Sequence, residues 1–198
     1  MTASEGATVL IVDDDREVVR TYRRYLEGTY TIHEAYDGES ALDELDEDVD
    51  VVLLDRMMPG TSGEAVLEHI HDRGYDVRVA MVTAVDPDFD IVDMGFDDYV
   101  TKPTTREELL RVVEGLLALD QHAVDVREYH SLLVKAAALR DGKSTYELDE
   151  NPAYADLEAR ISDLERTLDA EAEQLIDDSR FVATLRAIDT ASREDIDG

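Results

Sequence analysis

The chain has 198 residues, no cysteine and a formal net charge of −30, from 49 acidic and 19 basic side chains. The lack of cysteine excludes disulfides, thiolate metal sites and thiol nucleophiles, and no apolar run of about 18 residues or signal-peptide pattern points to a membrane, so the expected location is the cytoplasm. The charge is spread over the whole length, with 10 basic against 30 acidic residues in 1–120 and 9 against 19 in 121–198; such a surface repels itself unless salt screens it, which implies a cytoplasm of very high salt, as in a halophile, with an acidic mesophilic protein as the alternative.

Thr8 to Val12 reads as a buried strand that runs into the acidic triplet Asp13-Asp14-Asp15. A helix follows to about Glu27, with Asp15 as its N-cap and Gly28 at its end. Residues 30–35 alternate as a short strand, Asp37-Gly38 makes a turn, and 39–46 is a helix with Ala41, Leu42 and Leu45 inward. The run Val51-Val52-Leu53-Leu54 has the continuous apolar character of a strand covered on both faces, and it stops at Asp55, where Pro59-Gly60 turns the chain. A helix is expected over 64–73 and a fourth strand over 77–83, ending in Thr83. Residues 84–97 are short, acidic and broken by Pro87, with room for one turn at 89–94. A brief strand at 99–101 leads to Lys102-Pro103 and a helix from 105 to 119. Strand and helix alternate five times, which argues for an α/β, doubly wound parallel sheet.

Four strand ends carry polar residues: Asp13 and Asp14, Asp55, Thr83, and Lys102. In such a sheet these ends converge on one edge, where ligands bind. Three carboxylates brought within about 4 Å repel by a few kcal/mol per pair and need a cation, and oxygen-only ligands suit Mg²⁺ before Ca²⁺. A hydroxyl and an ammonium beside them supply what a phosphoryl group requires. The histidines give no comparable pattern: His69 and His71 are two apart on a helix and face different ways.

The motifs LIVDDD at 10–15, VVLLDRMMPGTSG at 51–63, MVTA at 81–84 and DDYVTKP at 97–103 resemble the receiver domains of two-component response regulators. The resemblance implies a flavodoxin-like sheet in the order 2-1-3-4-5 over residues 1–120. It implies that Asp55 is the phosphoacceptor for a sensor histidine kinase, and that Asp13, Asp14, Asp55 and the Met57 carbonyl hold Mg²⁺. Thr83 and Lys102 would grip the phosphoryl oxygens, while Thr83, the small Ala84 and the aromatic Tyr99 would form the switch. Any phosphotransfer and autodephosphorylation would be self-catalysed, with no separate enzymatic activity. Met57 and Val85, at the positions that tune phosphate lifetime in the family, are apolar and predict a long-lived phosphoryl state. Thr83 to Lys102 spans 19 positions, several fewer than usual, which puts the fourth helix and its dimerisation role in question.

Residues 121–198 form a second domain of different character. A helix is expected over 125–140, a polar loop over 143–150, and a helix over 152–176 that would be about 37 Å long. Along it Tyr154, Leu157, Ile161, Leu164, Leu168 and Leu175 follow a 3–4 alternation. A further short amphipathic piece is expected over 181–188. A stripe this narrow must pair with the preceding helix as a hairpin, with its copy in a homodimer, or with both. The arrangement resembles the HalX segment that follows receivers in halophilic archaea, and implies a helical output or coiled-coil dimerisation module. A DNA-binding transcription regulator is one alternative, although no basic cluster supports nucleic-acid contact. A phosphate shuttle that docks on proteins through its tail is another.

Overall fold

The computed structural model describes residues 6–119, 122 and 124–171. They divide into two compact units, residues 6–86 with 95–119 and residues 87–94 with 122 and 124–171. Among the described residues no helix is long and apolar enough to cross a membrane.

The first unit is built on five parallel strands, β1 (Thr8–Val12), β2 (Thr31–Ala35), β3 (Val51–Leu54), β4 (Arg78–Thr83) and β5 (Asp98–Thr101). Their spatial order is β2-β1-β3-β4-β5, as the motifs imply. All four residues of β3 are buried, because β1 and β4 flank it in the sheet and helices cover both faces. Side chains alternate across the pleat. Val9, Ile11, Val51, Leu53, Ala80 and Val82 meet α1 (Arg16–Leu26) through Val19, Tyr22 and Leu26. The same face meets α4 (Arg106–Leu119) through Leu109, Val113 and Leu116. On the opposite side α2 (Gly38–Glu44) packs on β1, β2 and α3 (Gly63–Arg73).

The helix starts follow local chemistry. Asp15 caps α1 by accepting the Glu17 N–H, as expected for an aspartate outside the acidic cluster. Asp37 and Ser40 form a reciprocal capping box on α2, and Ser62 caps α3.

β5 opens on Asp98, whose carboxylate accepts the Tyr99 N–H at 2.8 Å. Burial pushes this carboxyl up to about 6; the hydrogen bond opposes the shift, and Asp97 and Glu108 add to it. A carboxyl with a higher pKa in the folded than the unfolded state stabilises the fold below the unfolded value. That contribution is lost as pH rises through about 6, so at pH 7 the charge works against folding. Asp98→Asn keeps the acceptor and is expected to raise stability by about 1 kcal/mol at pH 7 and hardly at all at pH 4, partial solvent screening keeping the gain small. Denaturant titrations at the two pH values check this; the same change at both, or a loss at pH 7, would contradict it.

The second unit contains a 3-10 turn (Phe89–Asp93), α5 (Val124–Gly142), α6 (Thr145–Asp149) and α7 (Pro152–Glu171). The turn is the one expected at 89–94. The stretch 143–150, expected to be a polar loop, instead contains α6. Ser144 and Glu147 close a capping box on it, which a loop reading of so polar a stretch overlooks. α5 and α7 pack against each other, and Arg140 reaches Glu158 while Glu128 reaches Arg160. Leu157, Ile161 and Leu168 of the expected stripe are buried within this unit, where α5 supplies Val126, Tyr129, Leu132, Leu133, Ala136 and Leu139. These three residues of the stripe are covered within the chain, while Tyr154 and Leu164 are half-buried. The end of the 152–176 helix, Leu175 and the piece at 181–188 lie outside the described residues.

Candidate functional site

The carboxyl ends of the strands bring four of the expected residues together. Val12 lies opposite Leu54 in the β1–β3 register, so Asp13 and Asp55 leave the sheet side by side. The Asp55 N–H donates to the Val12 carbonyl at 2.9 Å, which fixes where the side chain starts. Asp13 is 2% exposed and Asp55 7%, while Asp14 lies open to solvent. One oxygen from each of Asp13, Asp14 and Asp55 falls within 4.8 Å of the others.

Lys102 arrives from the far side. Thr83 lies opposite Thr101, and the Lys102 N–H continues the ladder by donating to the Thr83 carbonyl at 2.8 Å. Its ammonium stands 2.6 Å from Asp13 Oδ2 and 3.3 Å from Asp55 Oδ1. At an effective dielectric near 20, each carboxylate pair at this spacing repels by roughly 3 kcal/mol. One ammonium cannot balance three carboxylates. Burial holds the Asp13 carboxyl above its usual range, with the Lys102 hydrogen bond pulling the other way.

This donor set fits a hard divalent cation: three carboxylates that converge, one of them open to water, with no sulfur or imidazole among them. Met57 stands two residues beyond Asp55 with its side chain 64% exposed.

Thr83 is fully buried, and its Oγ1 accepts the Val85 N–H at 3.3 Å, so its proton remains available to an acceptor. Ala84 is exposed. Tyr99 is partly buried against Phe96, with ring centroids 5.7 Å apart, and its hydroxyl donates to the Val85 carbonyl at 2.7 Å. Thr83 and Tyr99 thus grip the two backbone polar groups of the same residue.

Two features here had no clear signal in the sequence. Arg56 is buried beside Asp55, its Nε and Nη2 each 2.8 Å from Glu64 Oε1, and this pair ties the Asp55 loop to the first turn of α3. An arginine in a polar loop gives no hint of burial until its partner is placed. Gly63 is the other. A Cβ there would fall on the Asp55 carbonyl oxygen and press on Arg56 Cα, so only glycine lets α3 start this close to the site. Gly63→Ala is expected to cost about 2 kcal/mol and to lower the affinity for Mg²⁺. Denaturant unfolding and a Mg²⁺ titration check this; wild-type values in both would show that the loop yields freely.

Comparisons with known proteins bear on the same residues. The response regulator receiver domain model matches residues 9–114, and the HalX domain model matches 118–185. A Haloferax volcanii protein provisionally named a transcriptional regulator is 49% identical over 154 residues, 77% of this chain and 26% of that protein. Regulatory protein VanR from Enterococcus faecium is 31% identical over 144 residues, 70% of this chain and 62% of that one. The chain therefore spans about a quarter and somewhat under two thirds of these relatives. Among solved structures, the BeF3-activated DrrB receiver domain is similar with a TM-score of 0.52 and 30% identity, over 57% of this chain and 97% of that one.

Proposed function

Since the chain belongs to the response regulator receiver family, with a HalX domain behind the receiver, we propose that it is a phosphorylation-dependent response regulator of a two-component system. The observation that carries this reading is the Lys102 ammonium, held between Asp13 and Asp55 beside an open third carboxylate. Residues 1–120 are the phosphoacceptor part and 121–198 the helical output part, acting in the cytoplasm with a sensor histidine kinase as donor.

An Asp55 carboxylate oxygen attacks the phosphorus of the donor phosphohistidine. The new P–O bond forms as the P–N bond breaks, and the imidazole leaves with the electron pair. Lys102 offsets charge on the transferring group, and the Thr83 hydroxyl donates to a phosphoryl oxygen once the acyl phosphate exists. Asp13, Asp14 and Asp55, with the Met57 carbonyl, are the residues that would hold Mg²⁺. When bound there, the ion neutralises negative charge that Lys102 alone cannot. As Thr83 moves to donate to the phosphoryl group, the Val85 N–H that donates to its Oγ1 is displaced with it; the Ala84 loop and Tyr99 then shift between two arrangements, a change of population rather than of fold.

Operator reading by the helices is not favoured. Arg140, Arg160, Arg166 and Lys143 each face a carboxylate, respectively Glu158, Glu128, Asp163 and Asp88, which competes with any phosphate backbone.

The test is phosphorylation of the full chain by acetyl phosphate in molar KCl, followed by intact mass. The expected result is one phosphoryl group per chain, dependent on Mg²⁺ and removed by hydroxylamine, as an acyl phosphate requires. A folded protein that never takes up the group would overturn the reading.

A further inference from the structure

In a doubly wound sheet the crossover between two parallel strands ordinarily carries a helix that packs back on the same sheet. Between β4 and β5 this chain does something else. Residues 87–94 pack as part of the helical unit, with Ile91 and Val92 buried and the 3-10 turn seated against α5 and α7.

The helical unit holds this segment by specific groups. Lys135 of α5 is 5% exposed, and its ammonium donates to the Val92 carbonyl at 3.2 Å. Burying an ammonium costs several kcal/mol unless acceptors meet it, and the segment supplies one of them in the Val92 carbonyl. Lys143 lies 3.0 Å from Asp88 Oδ1 and 5.6 Å from the centre of the Phe89 ring. The Pro87 ring packs at Gly142, where an added Cβ would stand 3.3 Å from Pro87 Cδ.

Both ends of the segment are held by the receiver. Val85 is tied through its N–H to Thr83 and through its carbonyl to Tyr99. At the other end the Gly95 carbonyl sits 2.9 Å from His71 Nε2 on α3. Val85 and Pro87 are two peptide bonds apart, so little slack separates the Thr83 hydroxyl from the part that Lys135 and Lys143 hold.

We propose that residues 84–95 are a transmission strap. When the Thr83 hydroxyl moves to donate its proton to a phosphoryl oxygen on Asp55, it displaces the Val85 N–H that donates to its Oγ1, and the displacement passes along the chain into Pro87–Met94. It reaches α5 through Lys135 and Lys143. The helical unit then reads the state of Asp55 through a piece of the receiver's own chain that it has incorporated. This rests on the phosphoacceptor reading of Asp55.

The test is hydrogen exchange of the full chain in molar KCl with Mg²⁺, with and without beryllium fluoride as the phosphoryl mimic. It compares wild type, Lys143→Ala and Lys135→Met; the lysine at 143 lies at the end of α5, so its replacement keeps the test sound should burial make Lys135→Met unstable. In wild type the mimic is expected to change exchange at 55–63 and 83–86, and to change it at least about fivefold at 132–142, the low end of ordinary coupling. In the variants the first response persists and the second falls below about twofold. A wild-type response confined to 55–63 and 83–86 overturns the strap, and so does a full response at 132–142 in Lys143→Ala. No response at 55–63 in wild type overturns the phosphoacceptor reading, and the strap falls with it.

Discussion

Asp55→Asn is expected to take up no phosphoryl group from acetyl phosphate, and to be more stable than wild type when Mg²⁺ is chelated. The first outcome follows from chemistry, because an amide oxygen offers no carboxylate to attack phosphorus. The second follows from the charge balance. Lys102 is shared by Asp13 and Asp55, and a third carboxylate lies within 4.8 Å. Removing the charge at 55 leaves the Lys102–Asp13 pair intact and deletes two repulsive terms. The net gain is about 1 kcal/mol after solvent and salt screening, well below the bare Coulomb figure. Added Mg²⁺ then stabilises the variant less than the wild type, since one of its ligands is gone. Intact mass and thermal unfolding in molar KCl, with Mg²⁺ or with EDTA, check both parts. Uptake equal to wild type would move the acceptor to another residue. A loss of stability in EDTA would mean that Asp55 is held by more than Lys102.

Lys102→Ala is expected to slow phosphoryl uptake by about 10²–10³-fold, the usual cost of removing one preorganised charge from a polar transition state. Lys102 is well placed to act in this way because the Thr83 carbonyl fixes its backbone and Asp13 draws in its ammonium. Its loss also leaves the buried Asp13 without its cation, which is expected to cost about 1–3 kcal/mol of stability without Mg²⁺. Saturating Mg²⁺ should restore much of the stability and little of the rate, because the ion can balance the carboxylates without standing where the ammonium stood. Uptake rates at saturating Mg²⁺, set beside unfolding with and without the ion, separate the two effects. A rate within about threefold of wild type would remove Lys102 from the transfer step.

Much of the receiver was legible in the chain itself. VLIV at 9–12, VVLL at 51–54 and VAMV at 79–82 are continuous apolar runs because a central parallel strand is covered on both faces. The order of polar strand ends pointed to a convergent site, and Asp13, Asp14, Asp55 and Lys102 do converge. The apolar spacing of α5 and α7 was also readable, since a helix that buries one face repeats every three to four residues.

Other features depend on partners distant in the chain. Arg56, Lys135 and Arg140 are charged residues of ordinary surface type, yet all three are buried, because Glu64, the Val92 carbonyl, and Glu158 with Tyr154 meet them. No local pattern announces such a partner. Residues 84–97 were visibly too short and too acidic for a full helix, but their composition did not say where they would pack. Local sequence determined the periods, the caps and the chemistry at the strand ends, which follow from backbone geometry over a few residues. Only the tertiary structure decided that Pro87–Met94 belongs with the helices, because that choice depends on which surface offers burial for Ile91 and Val92 and a cation for the Val92 carbonyl.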